Sequence, residues 1–252
     1  MSPFQLVQPA SLAEALEALS FPDTRPFSGG TALMLMMKAG MLRPARLVRL
    51  ARCGLGGIQV RDGALHVGAF TTLSALEKAD AVRKGWPVIA RTLRTLANVR
   101  VRNVATVGGA LAHGDPHMDL PPLLSALGAR VRIAGPRGER TAAVEDLYKG
   151  YLETTLDAGE IITRVEVPPL EGRGATYLKF TTRSADDWPA VGIAVVLGKP
   201  ERIFVGAATD RPMPYADNLP IQSDLHGSAE YKRHLIKVLL PRALDEARNA
   251  RR

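Results

Sequence analysis

Short apolar runs alternate along this chain with segments whose apolar residues recur at helical spacing. The runs predict strands at 4–7, 47–50, 58–61, 64–67, 130–133, 141–144, 161–167, 177–180, 191–197 and 203–207. The helical spacing predicts helices at 11–19, 31–39, 72–78, 88–96, 120–127 and from about 228 onward. Because strands and helices are mixed and no internal repeat is evident, we expect an α+β fold.

Local signals define several boundaries. Ser11 followed by Glu14 is a capping box at a helix start, and Asp62-Gly63 between two strand runs predicts a hairpin. The segment 168–174, rich in proline and glycine, predicts a linker and a domain boundary near residue 170. Pro241 lacks a backbone N–H, so we expect it to interrupt the last helix.

Two glycine pairs are the main candidates for ligand binding. The first glycine loop, residues 28–33, reads Ser-Gly-Gly-Thr-Ala-Leu, and the second, residues 105–110, reads Ala-Thr-Val-Gly-Gly-Ala. Glycines let backbone N–H groups approach an anion, and successive N–H groups can form an anion-binding nest. One pair alone is usually a tight turn. Two pairs suggest a ligand with two phosphates held from both sides, in neither a Rossmann nor a Walker arrangement.

Composition narrows the class of protein. The single cysteine, Cys53, excludes an intramolecular disulfide and an iron–sulfur cluster held by this chain's own thiolates. The net charge of +8 is scattered and aromatic residues make up only 5%, which favours a solvated basic surface over nucleic-acid binding. The sequence begins without signal-peptide features, and Lys38 halts its longest apolar run, so we expect a cytoplasmic protein without a membrane span.

A metal site is the competing interpretation. His and Asp alternate from His113 to Asp119, and metal centres use such residues. The four side chains would share a face only on a strand, whereas Gly114 and Pro116 favour a loop. No distant histidine or carboxylate cluster obviously completes the site, so we predict no metal here.

Several ordered motifs together resemble the FAD-binding medium subunit of the molybdenum hydroxylases, the family of xanthine dehydrogenase and carbon monoxide dehydrogenase. They are FSGGT (27–31), LRPARLV (42–48), VRNVATVGG (101–109), DP (115–116), DLP (119–121), GEII (159–162), KF (179–180) and SDLHGSAEY (223–231). The resemblance implies a two-subdomain FAD-binding domain of the vanillyl-alcohol-oxidase or PCMH-like type at 1–170, divided at about 55. A small, abridged C-terminal α+β domain would cover 171–252.

The resemblance also implies which residues contact FAD. They are Ser28, Gly29, Gly30, Thr31, Ala32, Leu33, Leu96, Thr106, Gly108, Gly109, Ala110, Asp119, Ile162 and Lys179. The first loop would line the diphosphate and the second would oppose it. Asp119 would bind the adenosine ribose and Lys179 would lie beside the isoalloxazine, at the opposite end of the cofactor. Trp188 would pack near the flavin, or serve equally well as a core or interface aromatic.

The sequence departs from the family pattern in three places, and the first two, at Ala32 and Ala110, predict weaker FAD binding. Ala32 and Ala110 stand where the family commonly has polar residues, which removes side-chain contacts and keeps the backbone. Only residues 215–222 lie between the segment 211–214 and the SDLHGS segment, where the family usually has a longer helical stretch.

The function implied by the resemblance is electron relay, with no catalytic side chain acting on an organic substrate in this chain. A large molybdenum–pterin subunit and a small subunit with two [2Fe–2S] clusters are the expected partners, in a dimer of heterotrimers. Electrons would pass from the clusters through FAD to an external acceptor. Two alternatives remain: a scaffold or assembly subunit that has lost FAD, and a stand-alone flavin oxidase.

Overall fold

The computed structural model describes residues 2–250, which form mixed helices and strands. The helices are α1 (Leu12–Leu19), α2 (Leu33–Lys38), α3 (Leu73–Lys78), α4 (Asp80–Gly85), α5 (Pro87–Arg94), α6 (Val99–Arg102), α7 (Val107–Ala112), α8 (Leu120–Ala126) and α9 (Ala229–Asn249). The strands are β1 (Gln5–Val7), β2 (Thr24–Phe27), β3 (Arg46–Arg49), β4 (Ile58–Arg61), β5 (Ala64–Gly68), β6 (Arg130–Gly135), β7 (Gly138–Ala143), β8 (Tyr148–Gly150), β9 (Glu153–Thr154), β10 (Ile161–Val167), β11 (Ala175–Thr181), β12 (Pro189–Val196), β13 (Arg202–Gly206) and β14 (Met213–Pro214). The α+β class is confirmed. Within this range no helix is both long and apolar enough to cross a membrane.

The N-terminal segment forms a three-stranded parallel sheet in the order β1-β3-β2. Its helix α1 begins as the capping box predicts. The Glu14 N–H donates to Ser11 Oγ at 3.2 Å, and Glu14 Oε2 accepts from the Ala10 N–H at 2.9 Å. Ala15 of α1 and Val48 of β3 belong to a small buried core beneath the sheet. This packing fixes the end of β2, where the first glycine loop begins.

Five antiparallel strands form the second sheet, in the order β4-β5-β10-β6-β7. Asp62 and Gly63 join β4 to β5 with positive φ angles of 50° and 76°, which confirms the predicted hairpin. One face of the sheet, with Leu65, Val131 and Val165, packs against helices α3 to α8 in the main core. The second glycine loop therefore enters α7 on the surface of this sheet.

The C-terminal segment forms a four-stranded antiparallel sheet in the order β11-β12-β13-β14. Every residue of β12 is buried, because its alternate side chains face two different helices. Ile193 packs in the cluster that includes α9, whereas Ala194 shares the main core with Leu123 of α8. Residues on both sides of position 170 thus share one core, and the predicted boundary there stays a prediction.

The sequence patterns missed α4, α6 and α7 and the short strands β2, β8, β9 and β14. Each of these elements is only two to six residues long, which leaves little length in which a period can show. The helix α7 also contains Gly108 and Gly109, and each glycine disfavours a helix by about 1 kcal/mol relative to alanine. Tertiary packing against the second sheet overrides that local preference.

The expectation that Pro241 interrupts the last helix is wrong. The helix α9 continues from Ala229 to Asn249 with Pro241 inside it. Proline removes the bond to the carbonyl four residues earlier, at Lys237. Leu239 and Ala243, on either side of the proline, are buried against the small sheet, and this packing holds the helix together.

We predict that Pro241→Ala raises the free energy of unfolding. The substitution restores a backbone donor to the Lys237 carbonyl, a net gain of about 1 kcal/mol for one hydrogen bond. Chemical denaturation of the purified chain would measure the difference. As a control, Pro136→Ala in the turn between β6 and β7 restores no helical bond and should bring no gain. Equal or lower stability of Pro241→Ala would contradict this view of α9.

Candidate cofactor-binding site

The first glycine loop presents a row of free backbone donors. The N–H groups of Gly29, Gly30, Thr31 and Ala32 have no hydrogen-bond acceptor among residues 2–250. Gly30 adopts a φ of +73°, and a Cβ there would lie 2.4 Å from the Phe27 ring. Successive N–H groups in such a turn form a concave anion site. The unpaired donors support the prediction of a nest in this loop, which stays a prediction.

The second glycine loop has a different role. Gly108 N donates to Ala69 O at 2.8 Å and Ala110 N donates to Thr106 O at 2.9 Å. Gly109 N donates to Thr106 Oγ1 at 3.2 Å, so Thr106 caps α7. The expectation of a second nest is wrong, because these three donors are already satisfied.

The glycines of the second loop instead permit close approach. A Cβ on Gly108 would lie 2.6 Å from the Ala69 Cβ, so Gly108 allows α7 to pack against the second sheet. Gly109 is exposed, and among residues 2–250 only its own capping oxygen, Thr106 Oγ1 at 3.0 Å, approaches the position of a Cβ. Gly109 thus leaves a bare surface on which a ligand can lie.

The two glycine loops touch each other, as their pairing predicts. Ser28 Oγ and Thr106 Oγ1 are 2.6 Å apart, and the two hydroxyls share a hydrogen bond. A Cβ on Gly29 would lie 2.0 Å from the Val104 carbonyl oxygen, so a glycine is required there. The donor row of the first loop and the bare surface of the second are consequently held together.

Ile162 lies next to the second loop within the sheet. Its side chain is buried, and it pairs with Ile133 across β10 and β6, next to a bulge. The following residue, Thr163, accepts a hydrogen bond from Ala69 N at 3.0 Å. Ala69 is also the residue against which Gly108 packs, so Ile162 and the second loop meet through Ala69.

Asp119 and Lys179 form a separate buried group. Lys179 Nζ is 3.0 Å from Asp119 Oδ2, and their side chains are only 8% and 4% exposed. Lys179 also donates to the carbonyls of Thr95 at 2.7 Å and Asp187 at 3.2 Å, and Tyr177 OH donates to Asp119 Oδ1 at 2.7 Å. The expectation that Lys179 and Asp119 lie at opposite ends of a cofactor is wrong, since the two charges touch.

Burial dominates the electrostatics of this group. It raises the pKa of the Asp119 carboxyl above its ordinary value, and the Lys179 ammonium and the Tyr177 hydroxyl only partly offset that rise. Leu96 follows Thr95 and is also buried, and its carbonyl accepts from Arg102 Nη1 at 3.2 Å. Leu96 therefore follows a residue that bonds Lys179, and it belongs to the same buried core as Ala105 and Ala110 of the second loop.

The segment from His113 to Asp119 is a loop with a short turn, as Gly114 and Pro116 predict. Both ring nitrogens of His117 face carboxylate oxygens, and no group of three His, Cys, Asp or Glu within residues 2–250 is arranged to hold a metal.

Comparison with known proteins shows which family has this architecture. A family model described as the FAD binding domain in molybdopterin dehydrogenase matches residues 2–170. The chain belongs to the family of FAD-binding medium subunits of molybdenum hydroxylases. As a member of this family, the chain is the flavoprotein subunit of an oxidoreductase.

Individual relatives cover nearly the whole chain. The carbon monoxide dehydrogenase medium chain of Afipia carboxidovorans is 32% identical over 280 residues, covering 97% of this chain and 96% of the relative. The glyceraldehyde dehydrogenase medium chain of Sulfolobus acidocaldarius is 29% identical, covering 96% and 98%. The structure of quinoline 2-oxidoreductase from Pseudomonas putida 86 matches with a TM-score of 0.92 at 29% identity, covering 100% of this chain and 99% of that one. The first alignment is longer than this chain, so the Afipia medium chain carries residues that this medium subunit lacks.

The first loop fits an FAD diphosphate on its own chemistry. Its four free N–H groups match the acceptor oxygens of a phosphate, and Gly109 leaves room opposite. The two alanine departures differ in their consequences. Ala32 precedes α2 without a side-chain cap, whereas Ala110 is buried and its N–H bonds within α7. A polar residue at Ala32 would add a contact to the nest, and none is needed at Ala110 to preserve the fold.

We predict that Gly109→Val weakens FAD binding by at least about tenfold, or 1.4 kcal/mol. The new side chain would occupy the bare surface of α7, while the fold has room for it apart from a small shift of the Thr106 hydroxyl. Titration with FAD measures the affinity, and thermal unfolding checks the fold.

Gly85→Val is the matched control for this variant. Gly85 is also an exposed helical glycine, and no atom of the described residues lies within 4 Å of a Cβ there. Equal FAD affinity in the two variants would remove α7 from the binding surface.

We predict that Lys179→Met lowers the free energy of unfolding by about 3–5 kcal/mol, because it leaves the Asp119 carboxylate buried without its cation. Asp119→Asn should lower the free energy of unfolding less, since Lys179 keeps its hydrogen bonds to the Thr95 and Asp187 carbonyls. Urea denaturation of both variants and of the double variant gives their coupling energy. Strictly additive effects would contradict a direct ion pair.

We predict that the loss of stability in Lys179→Met depends on pH. A carboxyl whose pKa is raised by folding makes the protein less stable as pH rises from the unfolded to the folded pKa. Removing Lys179 raises the Asp119 pKa further, so the loss of stability should be smaller at pH 5 than at pH 8.

Proposed function

We propose that this chain binds one FAD noncovalently, with its diphosphate on the first glycine loop and its extended body across α7. The observation that carries the proposal is the row of free donors from Gly29 to Ala32, held against Thr106 by the Ser28 hydroxyl. Gly109 leaves the opposing surface open, and Ile162 lies next to it through Ala69. When bound, FAD supplies one-electron and two-electron redox chemistry.

The protein's own task in this proposal is to bind and orient the cofactor. The backbone donors of the first loop would hold the phosphate oxygens, and the capping of α7 by Thr106 would keep the opposite wall rigid. Lys179 is already neutralised by Asp119, so we assign the pair a positioning role at the junction of the sheets. This replaces our expectation that Lys179 acts as a free cation beside the flavin ring.

We propose that the chain relays electrons within a larger complex. A chain with one cysteine holds no iron–sulfur cluster of its own, so its electrons come from a partner. The relatives' names as medium chains support a large and a small partner subunit. We propose, as the family resemblance implies, that the large one carries molybdenum–pterin and the small one two [2Fe–2S] clusters. We further propose a dimer of heterotrimers in the cytoplasm. The organic substrate would bind to the large subunit.

Purification of the tagged chain from its native host tests this function. We expect co-purification of two further polypeptides, with molybdenum and iron present and about one FAD per chain released by acid. The purified complex should reduce a dye with an organic substrate, and the chain alone should not.

Each rival makes a different prediction in that experiment. A folded chain that remains colourless with added FAD, alone and in the complex, supports the FAD-free scaffold. Substrate turnover by the isolated FAD-loaded chain, without molybdenum or iron, supports the stand-alone oxidase. The variant Gly109→Val, with Gly85→Val beside it, shows whether the bound FAD uses the proposed surface.

A further inference from the structure

His117 has a carboxylate at each of its ring nitrogens. Nδ1 lies 2.9 Å from Asp115 Oδ1, and Nε2 lies 2.9 Å from Asp224 Oδ2. A neutral imidazole carries only one N–H, so one of its nitrogens would direct a lone pair at a carboxylate oxygen. The imidazolium ion has two N–H groups and donates to both. The geometry therefore selects the protonated ring.

The charges around His117 alternate. Asp224 also pairs with Lys232, whose side chain is fully buried and donates to the Ala207 carbonyl at 2.8 Å. With His117 protonated, the two carboxylates are balanced by two cations. With His117 neutral, the group keeps one uncompensated negative charge in a largely buried setting. Charge balance thus favours the same protonation state as the hydrogen bonds.

His117 also contacts an aromatic side chain at the site. The Trp188 ring stacks on it, with centroids 5.6 Å apart and planes 9° from parallel. An imidazolium stacked on indole gains a cation–π attraction that a neutral ring lacks. The residue before Trp188, Asp187, accepts a hydrogen bond from Lys179 through its carbonyl. The Trp188 ring is therefore stacked on His117, and the backbone just before it is anchored to Lys179.

We propose that His117 is a positioning residue that works as an imidazolium ion. It joins the loop 113–119 to the segment that precedes α9, and it fixes the Trp188 indole beside the Asp119–Lys179 pair. That the positioned Trp188 lies near the flavin, as the family resemblance implies, rests on the proposed function. The contact that His117 makes between its own loop and the segment before α9 does not.

The surroundings of His117 set its pH dependence. Burial by itself lowers the pKa of the ring, but hydrogen bonds and charges from Asp115 and Asp224 outweigh it, and the pKa is raised. The other groups that face this cluster are Lys232 on Asp224, His113 at 4.0 Å from Asp115 Oδ2, and His226, whose ring centroid is 5.1 Å away. Because folding raises the pKa of His117, the stabilisation of the fold by its protonated ring is fully present below about pH 6.5. It is lost as pH rises through the pKa of the folded state.

Two titrations of the full chain without FAD test this proposal. Histidine NMR signals, assigned by substitution, give the pKa of each ring directly. Tryptophan emission reports the stack, because an imidazolium ion quenches indole fluorescence more strongly than a neutral imidazole. We expect His117 to titrate above pH 6.5, and the emission to rise over the same pH range.

Matched variants identify the groups involved. Asp115→Asn keeps the shape and leaves the Asp224–Lys232 pair intact, and it should lower the His117 midpoint by about one unit or more. His117→Gln and Trp188→Phe should each abolish the emission transition. His234→Gln, at an exposed position on α9, should leave it unchanged. Trp86 is buried and bonded to the Pro168 carbonyl, and it supplies a constant background.

The proposal fails if His117 titrates at or below its ordinary value, if Asp115→Asn leaves the midpoint unchanged, or if the emission transition survives in His117→Gln. FAD uptake by the same samples is a separate measurement. A protein that shows the transition and takes up no FAD would overturn the proposed function and support the His117 contact. A protein that takes up FAD and lacks the emission transition would support the proposed function and overturn the proposal for His117.

Discussion

The backbone of Gly29 lies so close to the Val104 carbonyl that no side chain fits between the two glycine loops. Much of the site depends on this contact. It places the Ser28 hydroxyl on the hydroxyl of Thr106, which caps α7. The next four backbone donors of the first loop have no acceptor among residues 2–250. The proposed nest and the bare surface of α7 consequently lie side by side. Their arrangement suits an extended ligand with a diphosphate.

The two glycine pairs look alike in sequence and do different work. In the first loop the backbone donors of the glycines have no acceptor within the part of the chain that the structure describes. In the second loop the donors close a capped helix, and Gly108 serves close packing against Ala69. A nest requires donors that secondary structure leaves unused. Gly109 contributes by exposing helix surface rather than by donating.

Buried charge sets the relation between the FAD-binding part and the C-terminal sheet. Asp119 pairs with Lys179 of β11, and His117 connects Asp115 to Asp224 before α9. Each of these charges would be costly to bury alone, so each requires its partner in place. Apolar packing of α8 on β12 and β13 tolerates small shifts, whereas hydrogen-bonded ion pairs do not. The pairs therefore fix the alignment of the junction.

The sequence by itself determined the family, the α+β class and most of the longer elements. Periodicity, the Ser11 capping box and the Asp62-Gly63 turn are local signals, and local backbone chemistry suffices for them. Only the tertiary structure decided that α9 passes through Pro241, that the second loop is a helix start, and that Lys179 meets Asp119. Those outcomes depend on partners that are distant in sequence, such as Lys179 for Asp119, 60 residues away, and Ala69 for Gly108. A local pattern carries no information about which distant group will satisfy a buried charge, because folding brings the two together.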